Sequence, residues 1–215
     1  MLLSSSSLQH YKNLIVYKAY ADFRAEAERT YLGIAWWVFE PLIDLGIYFL
    51  VFGVFLNRGT EDFIPFLLVG LVMWRYFSVG VIRASNSIIA NSGIIQHIRF
   101  SKLIFPLITV LTCSLEFVFS LLMLACFMLF VGDGVSIHLL AFPVVLLVEV
   151  LMILGLALPL AAIVPFVPDL HKLITYVFRI MFFMSGIVYP IHILPERVQP
   201  YLYINPFISL IDAHR

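Results

Sequence analysis

Charge is what this sequence has least of. Only 12% of its 215 residues are Asp, Glu, Lys or Arg, against about a quarter in an ordinary soluble domain. Hydrophobic residues make up 62%, more apolar surface than a core of this size can hide. Lipid is the simplest solvent for the excess. Thirteen basic residues balance thirteen acidic ones, so no positive footprint for a nucleic acid is present. Cysteine is nearly absent too. Cys113 and Cys126 fall in one apolar segment, and at ~1.5 Å rise per residue they stand about 20 Å apart on a helix, too far to bond. No glycine opens a nucleotide-binding loop ending in Gly-Lys-Ser/Thr, no His-Glu-x-x-His occurs, and no Gly-x-Ser-x-Gly elbow is found. The chain therefore carries no ATP-hydrolysing motif, and an enzyme reading has no anchor. The polar first thirty residues lack the short apolar core of a cleavable signal peptide.

What is there is a series of long apolar runs. A membrane span needs about 20 such residues. Five are expected, over 34–56, 63–82, 104–131, 139–164 and 173–191. Between them lie turn formers with charge: Asn57 to Asp62, Gly132-Asp133-Gly134 and Pro165 to Asp169. Counting Lys and Arg in the connections orients the bundle. Lys12, Lys18, Arg24, Arg29, Arg83, Arg99, Lys102 and Lys172 fall on one side, and only Arg58, Arg197 and Arg215 on the other. The richer side, holding the N-terminus, is expected to be cytoplasmic.

Three segments do not read as simple spans. Residues 8–29 place Leu8, Tyr11, Ile15, Ala19 and Phe23 on one helical face, with Lys12, Asp22, Glu26 and Arg29 largely off it. This is an amphipathic helix, lying in the membrane plane or packed on its own protein. Residues 84–102 mix isoleucines with Asn86, Asn91, Gln96 and His97, which predicts short helices broken near Asn91-Ser92-Gly93. The tail after residue 191 carries Pro195, Pro200 and Pro206, which forbid one continuous helix. Apolar broken helices at membrane depth must be buried or line a cavity. The fold expected is an all-α polytopic transmembrane bundle, with an N-terminal interfacial segment (1–30), a transmembrane domain (31–215) and outer re-entrant helices.

Charges inside spans face the bundle interior. Here they are Glu40, Asp44, Arg75, Glu116, Glu149 and Arg179. They offer a polar conduit or, taken singly, structural pairing such as Arg75 with Glu116 and Arg179 with Glu149. Aromatics near span ends include Trp36, Trp37, Phe39, Trp74, Tyr76, Phe77, Tyr201 and Tyr203. An interfacial belt explains many of them, Trp36 and Trp37 above all. Some can instead stack on sugar rings along a path, since a stacking surface binds weakly and repeatedly.

The run Tyr31-Leu32-Gly33-Ile34-Ala35-Trp36-Trp37-Val38-Phe39-Glu40-Pro41-Leu42 resembles the start of the membrane subunit of ABC-2 type polysaccharide exporters. So do Phe66 to Trp74 with Phe77-Ser78, Ser87 with Asn91, Ile98 to Pro106, Pro168-Asp169-Leu170, Ser185 to Pro190 and Asn205-Pro206-Phe207. The matches cover nearly the whole chain in order. The resemblance implies a permease of the bacterial cytoplasmic membrane that exports lipid-linked O-antigen, capsule or teichoic-acid polymers. It implies a homodimer of this chain with two ABC ATPase subunits, which bind the ATP and Mg; this chain itself binds no cofactor. Residues 8–29 would be the interfacial helix. Residues 93–102, with Gly93, Gln96, His97, Arg99 and Lys102, would dock in the ATPase. Trp36, Trp37, Phe39, Trp74, Tyr76, Phe77 and Tyr189 would line the substrate path. Residues 195–212, with Pro195, Tyr201, Tyr203, Asn205 and Pro206, would form the outer gate. The family continues into a sixth span that this sequence lacks.

Other readings remain. An ABC-2 exporter of small hydrophobic molecules shares the architecture. A membrane enzyme acting on lipid-linked sugars would need paired acids or a metal site near the interface, where Asp169 and His171 are the nearby pair, and Asp169 reads rather as a helix cap. A secondary transporter is disfavoured by the lack of an inverted repeat.

Overall fold

The computed structural model describes residues 5–55, 63–96, 101–131, 142–189 and 205–214. Among them every regular element is helical. An opening helix, α1 (Ser5–Glu28), turns through Gly33, whose φ of +50° suits only glycine. A Cβ there would also sit 2.8 Å from the carbonyl oxygen of Ala27, so the corner is closed to larger residues. The first span then runs as a short 3-10 turn (Gly33–Ala35), α2 (Trp36–Tyr48, with Pro41 inside) and a π-helical stretch (Phe49–Phe55). The chain returns through α3 (Phe63–Ser85) to two single-turn helices, α4 (Ser87–Ala90) and α5 (Ser92–Ile95), broken at Asn91. The helices α6 (Ile104–Val131), α7 (Phe142–Ile163) and α8 (Asp169–Met184) follow, then α9 (Pro206–His214). The end of the bundle that carries α4, α5 and the start of α8 is called proximal below.

Among the described residues, four helices are long and apolar enough to cross a membrane: Gly33–Phe55, Phe63–Ser85, Ile104–Phe130 and Phe142–Ile163. The fifth expected span, placed at 173–191, is instead a 16-residue helix starting at Asp169. At ~1.5 Å per residue it reaches about 24 Å, short of the ~30 Å hydrocarbon core. It stops because the chain turns at Gly186, where φ is +65°. The turn is buried, with Ser185 and Ile187 fully enclosed. Asn205 donates from Nδ2 to Ser185 Oγ at 2.8 Å and accepts from the Phe207 amide at 3.1 Å. These bonds satisfy irregular backbone and side chain at depth, which lipid could not do, and they tie the end of α8 to the start of α9. Phe207, Ile208 and Ile211 of α9 are enclosed. α9 thus forms a wedge against α3 and α7; the part of the expected outer re-entrant segment at 190–204 lies outside the described residues.

The third helix is the axis of the core. It packs chiefly on α6 and α7 and also touches α2, α8 and α9. Gly80 permits this, since a Cβ there would meet Ile153 Cγ2 at 3.2 Å, so α3 and α7 approach backbone to side chain. Around Trp74 and Phe77 gather Phe178, Phe182 and Phe207, with Phe77 stacked on Phe207 at 4.6 Å between ring centroids. A second small cluster joins α1 to α6 through Ala19, Ile104 and Ile108, with Tyr11 and Ile15 packed beside them. Phe23 stacks on Trp37 at 4.9 Å and on Phe119 at 5.9 Å. The predicted apolar face of α1 is therefore laid on its own bundle, while Val16, Tyr17 and Tyr20 remain exposed. The side chain of Leu8 lies outside the described ones.

Candidate functional site

Two polar cavities flank α3. The first, of about 410 Å³, lies between α1, α2, α3 and α6. Its wall carries Glu26, Glu40, Arg75, Arg83 and Glu116, with Trp36, Trp37, Tyr76 and Phe117 between them. Both arginines are paired, and Glu26 is an acid beyond those two pairs. Arg75 bonds to Glu40, joining α3 to α2. Arg83 Nη1 donates to both carboxylate oxygens of Glu116, at 2.7 and 2.9 Å. Tyr76 shares a 2.7 Å hydrogen bond with Ser114 and stacks on Phe117 at 4.2 Å. Ser120 donates to the carbonyl of Trp37 at 2.7 Å.

These pairs correct the expected ones. Arg75 was expected to meet Glu116, but Arg83 takes that place. The reason is the extent of α3: it continues to Ser85, so Arg83 is the last turn of a span and not a loop residue. Beyond it, α4 and α5 carry the chain further in the proximal direction. Removing Arg83 from the connection count leaves seven basic residues on that side against three, and the charge asymmetry stands. Arg179 does not meet Glu149 either. Its guanidinium lies 5.7 Å from the ring centroid of Tyr176 on the exposed side of α8. Glu149 is enclosed on α7, one turn before the Ile153 that abuts Gly80. The two side chains look in different directions.

The second cavity, about 390 Å³, is a groove with α2 on one side, α8 on the other and α3 as floor. Asp44 and Tyr48 come from α2, Trp74, Arg75 and Ser78 from α3, and Thr175, Phe178, Arg179, Phe182 and Phe183 from α8. Arg75 and Arg179 each stand ten residues from one end of their helix, about 15 Å along its axis. Polar and aromatic groups thus meet in one groove. Helical spacing at ~100° per residue explains the wall of α8. Ile174, Phe178 and Phe182 fall on the buried face. Lys172, Thr175, Tyr176, Arg179 and Phe183 form a neighbouring stripe, and Leu173, Val177, Ile180 and Met184 an exposed aliphatic one.

The sequence-expected path residues divide between these places. Trp36, Trp37 and Tyr76 line the first cavity, Trp74 the second, and Phe77 is enclosed in the core. Phe39 is exposed on α2. Tyr189 donates from its hydroxyl to the Phe183 carbonyl at 2.7 Å, beside the groove. Sequence reading missed Tyr48, Thr175, Phe178, Phe182 and Phe183. The signal of the last four lies in the helical wheel of α8; Tyr48 belongs to α2.

Of the expected docking segment, Gly93, Gln96 and Lys102 are exposed, and nothing lies within 4 Å of a Cβ on Gly93. His97 and Arg99 lie outside the described residues, as do Pro195, Tyr201 and Tyr203 of the expected gate. Asn205 and the helix beginning at Pro206 make the α8–α9 junction already described. No group of three or more His, Cys, Asp or Glu suited to a metal occurs among the described residues.

Similarity to known proteins agrees with this architecture. The family described as ABC-2 type transporter matches residues 19–215. The O-antigen export system permease protein RfbA of Myxococcus xanthus is 26% identical over 210 residues, covering 97% of this chain and 81% of that protein. RfbA of Klebsiella pneumoniae is 24% identical over 204 residues, covering 94% and 79%. The polysialic acid transport protein KpsM of Escherichia coli is 26% identical over 205 residues, covering 90% and 76%. A match over most of the chain, on a bundle of apolar helices with polar cavities between them, means that the chain belongs to the ABC-2 type transporter family and is a multi-pass transport subunit rather than an enzyme.

Proposed function

We propose that this chain is one of two identical permease halves that move a lipid-linked polysaccharide outward across the bacterial cytoplasmic membrane, driven by separate ABC ATPase subunits. The carrying observation is Arg179. A guanidinium exposed on a helix of an apolar bundle is costly to turn toward hydrocarbon, so we take its side of α8 to look onto water or protein. The groove beside it combines aromatic faces, which stack on sugar rings, with hydroxyls and charges that stay wet. The aliphatic stripe next to it and the exposed face of α2 supply surface for a second copy. Two such grooves facing each other make a conduit. The names of the relatives, an O-antigen permease and a polysialic acid transporter, support a glycan cargo.

In this reading the proximal end is cytoplasmic and α1 lies at the membrane surface. The segment holding Gly93, Gln96, His97, Arg99 and Lys102 meets the ATPase, which holds ATP and Mg. Closure of the ATPase pushes this segment and, through α4 and Arg83, tilts α3. The test is ATP-dependent movement of a lipid-linked glycan into proteoliposomes holding permease and ATPase. Charge reversal at both Arg99 and Lys102 should reduce transport to background while membrane insertion stays normal. Transport at the original rate in that variant would overturn the coupling assignment.

A further inference from the structure

We infer that the groove between α2 and α8 selects for negative charge, with Arg179 as the residue that contacts an anionic oxygen of the passing cargo. The inference rests on reading that groove as the path, and adds to it the chemical class of group recognised there.

The two cavities differ in how their charges are disposed. In the first, Arg75 and Arg83 each hold a carboxylate, from Glu40 and Glu116, and Glu26 adds a further negative charge. An anion entering there would meet neutralised arginines and a surplus acid. In the second, Arg179 makes no ion pair among the described residues and is shared only with the face of Tyr176. Asp44 lines the same groove, yet no ion pair between it and Arg179 forms. With Arg75 already bonded to Glu40, Arg179 is the groove's guanidinium without a carboxylate among the described residues. Its planar fork suits two oxygens of one carboxylate or phosphate. Thr175 lies one turn before it, lines the same groove, and donates its hydroxyl to the His171 carbonyl at 3.0 Å, so the oxygen keeps its acceptor capacity.

Anionic oxygens reach such a groove from two sources: acidic sugars along the polymer, or the phosphate head of its lipid carrier. Both present the same group to Arg179. The apolar aromatic walls of the groove strengthen the attraction, and the exposure of Arg179 to water moderates it. The groove then favours a charged chain over a neutral one of the same length, independently of the stacking that holds both.

The experiment uses the full permease–ATPase complex in proteoliposomes, with Cys113→Ala and Cys126→Ser as background and Thr175→Cys as reporter. Two methanethiosulfonates of similar size are compared, one bearing a sulfonate and one a quaternary ammonium. The expected result is labelling about tenfold faster by the sulfonate reagent, the low end of electrostatic focusing in a charged cleft. Adding Arg179→Gln should abolish that preference, and Arg179→Lys should keep most of it. A soluble uronic-acid oligosaccharide that slows labelling assigns the contact to the polymer. Protection by a polyprenyl diphosphate alone assigns it to the carrier head. Equal labelling by both reagents, or a preference that survives Arg179→Gln, overturns the charge inference and leaves the path intact. No labelling by either reagent overturns the path itself. Restoration of wild-type transport by the swap Asp44→Arg with Arg179→Asp would make the two a structural pair, and would also overturn the inference.

Discussion

The first two long apolar helices, Gly33–Phe55 and Phe63–Ser85, are both 23 residues long, yet 72% of the apolar window of the second is buried and only 6% of the first. Their compositions do not announce this. Both carry aromatics at the same kind of position, and both hold one partner of the Arg75–Glu40 bond. The difference lies in what surrounds them. Small and close contacts such as Gly80 against Ile153 let α3 sit amid its neighbours, whereas α2 packs mainly on α3 and α6, with single ring contacts to α1 and α8 through Trp37 and Tyr48. Its other side shows Phe39, Leu42, Ile43 and Ile47 to the surroundings. One helix is held by the bundle; the other is a wall awaiting lipid or a second copy.

The sharpest way to break this contrast is to remove the charge that α6 gives to α3. Glu116→Ala leaves Arg83 without its carboxylate, and should destabilise the detergent-solubilised protein by up to about 3 kcal/mol, reduced by the water that reaches a guanidinium 35% exposed. Thermal unfolding followed by fluorescence reads it. An unchanged midpoint would mean that α3 is not anchored by this pair. Next in size, Gly80→Leu forces a branched side chain between α3 and α7. Overpacking of this kind costs about 2 kcal/mol, and the same assay applies; Gly80→Ala should cost less, because Ile153 needs to yield only a few tenths of an ångström. The smallest effect on stability belongs to α2. Ile43→Ala together with Ile47→Ala should change the unfolding midpoint by less than about 0.5 kcal/mol per site, as for exposed positions generally. Cross-linking between copies in the membrane should nevertheless fall. Stability loss as large as at Gly80 would show that α2 is packed more deeply than the single chain reveals.

Much of the bundle could be read before the structure. The long runs, the break at Asn91 and the apolar face of α1 follow from composition and helical spacing, and each has its counterpart in an element. Proline placement and the buried turn at Gly186 are another matter. A 16-residue helix ended by a left-handed glycine cannot be told from a longer span by hydropathy, because Ile187 and Val188 are as apolar as lipid-facing residues. The pairing of Arg83 with Glu116 was also hidden. It depends on how far α3 extends before α4 begins, and helix ends are set by local hydrogen bonds more than by hydrophobic pattern. Trp74 and Phe77 sit near a span end in sequence, yet α9 folds back over them through Phe207. Only a contact between residues some 130 positions apart, outside the reach of periodicity, decides that they are core.

The Arg83–Glu116 bridge bears finally on how the polypeptide enters the bilayer at all. A carboxylate near the middle of an apolar helix costs about 2.5 kcal/mol or more on insertion scales. The sixth helix, however, emerges from the ribosome after α3, and α3 already presents its guanidinium. Insertion of α6 beside α3 replaces that cost with a hydrogen-bonded pair, so the order of synthesis places the cation in the membrane before the acid that needs it.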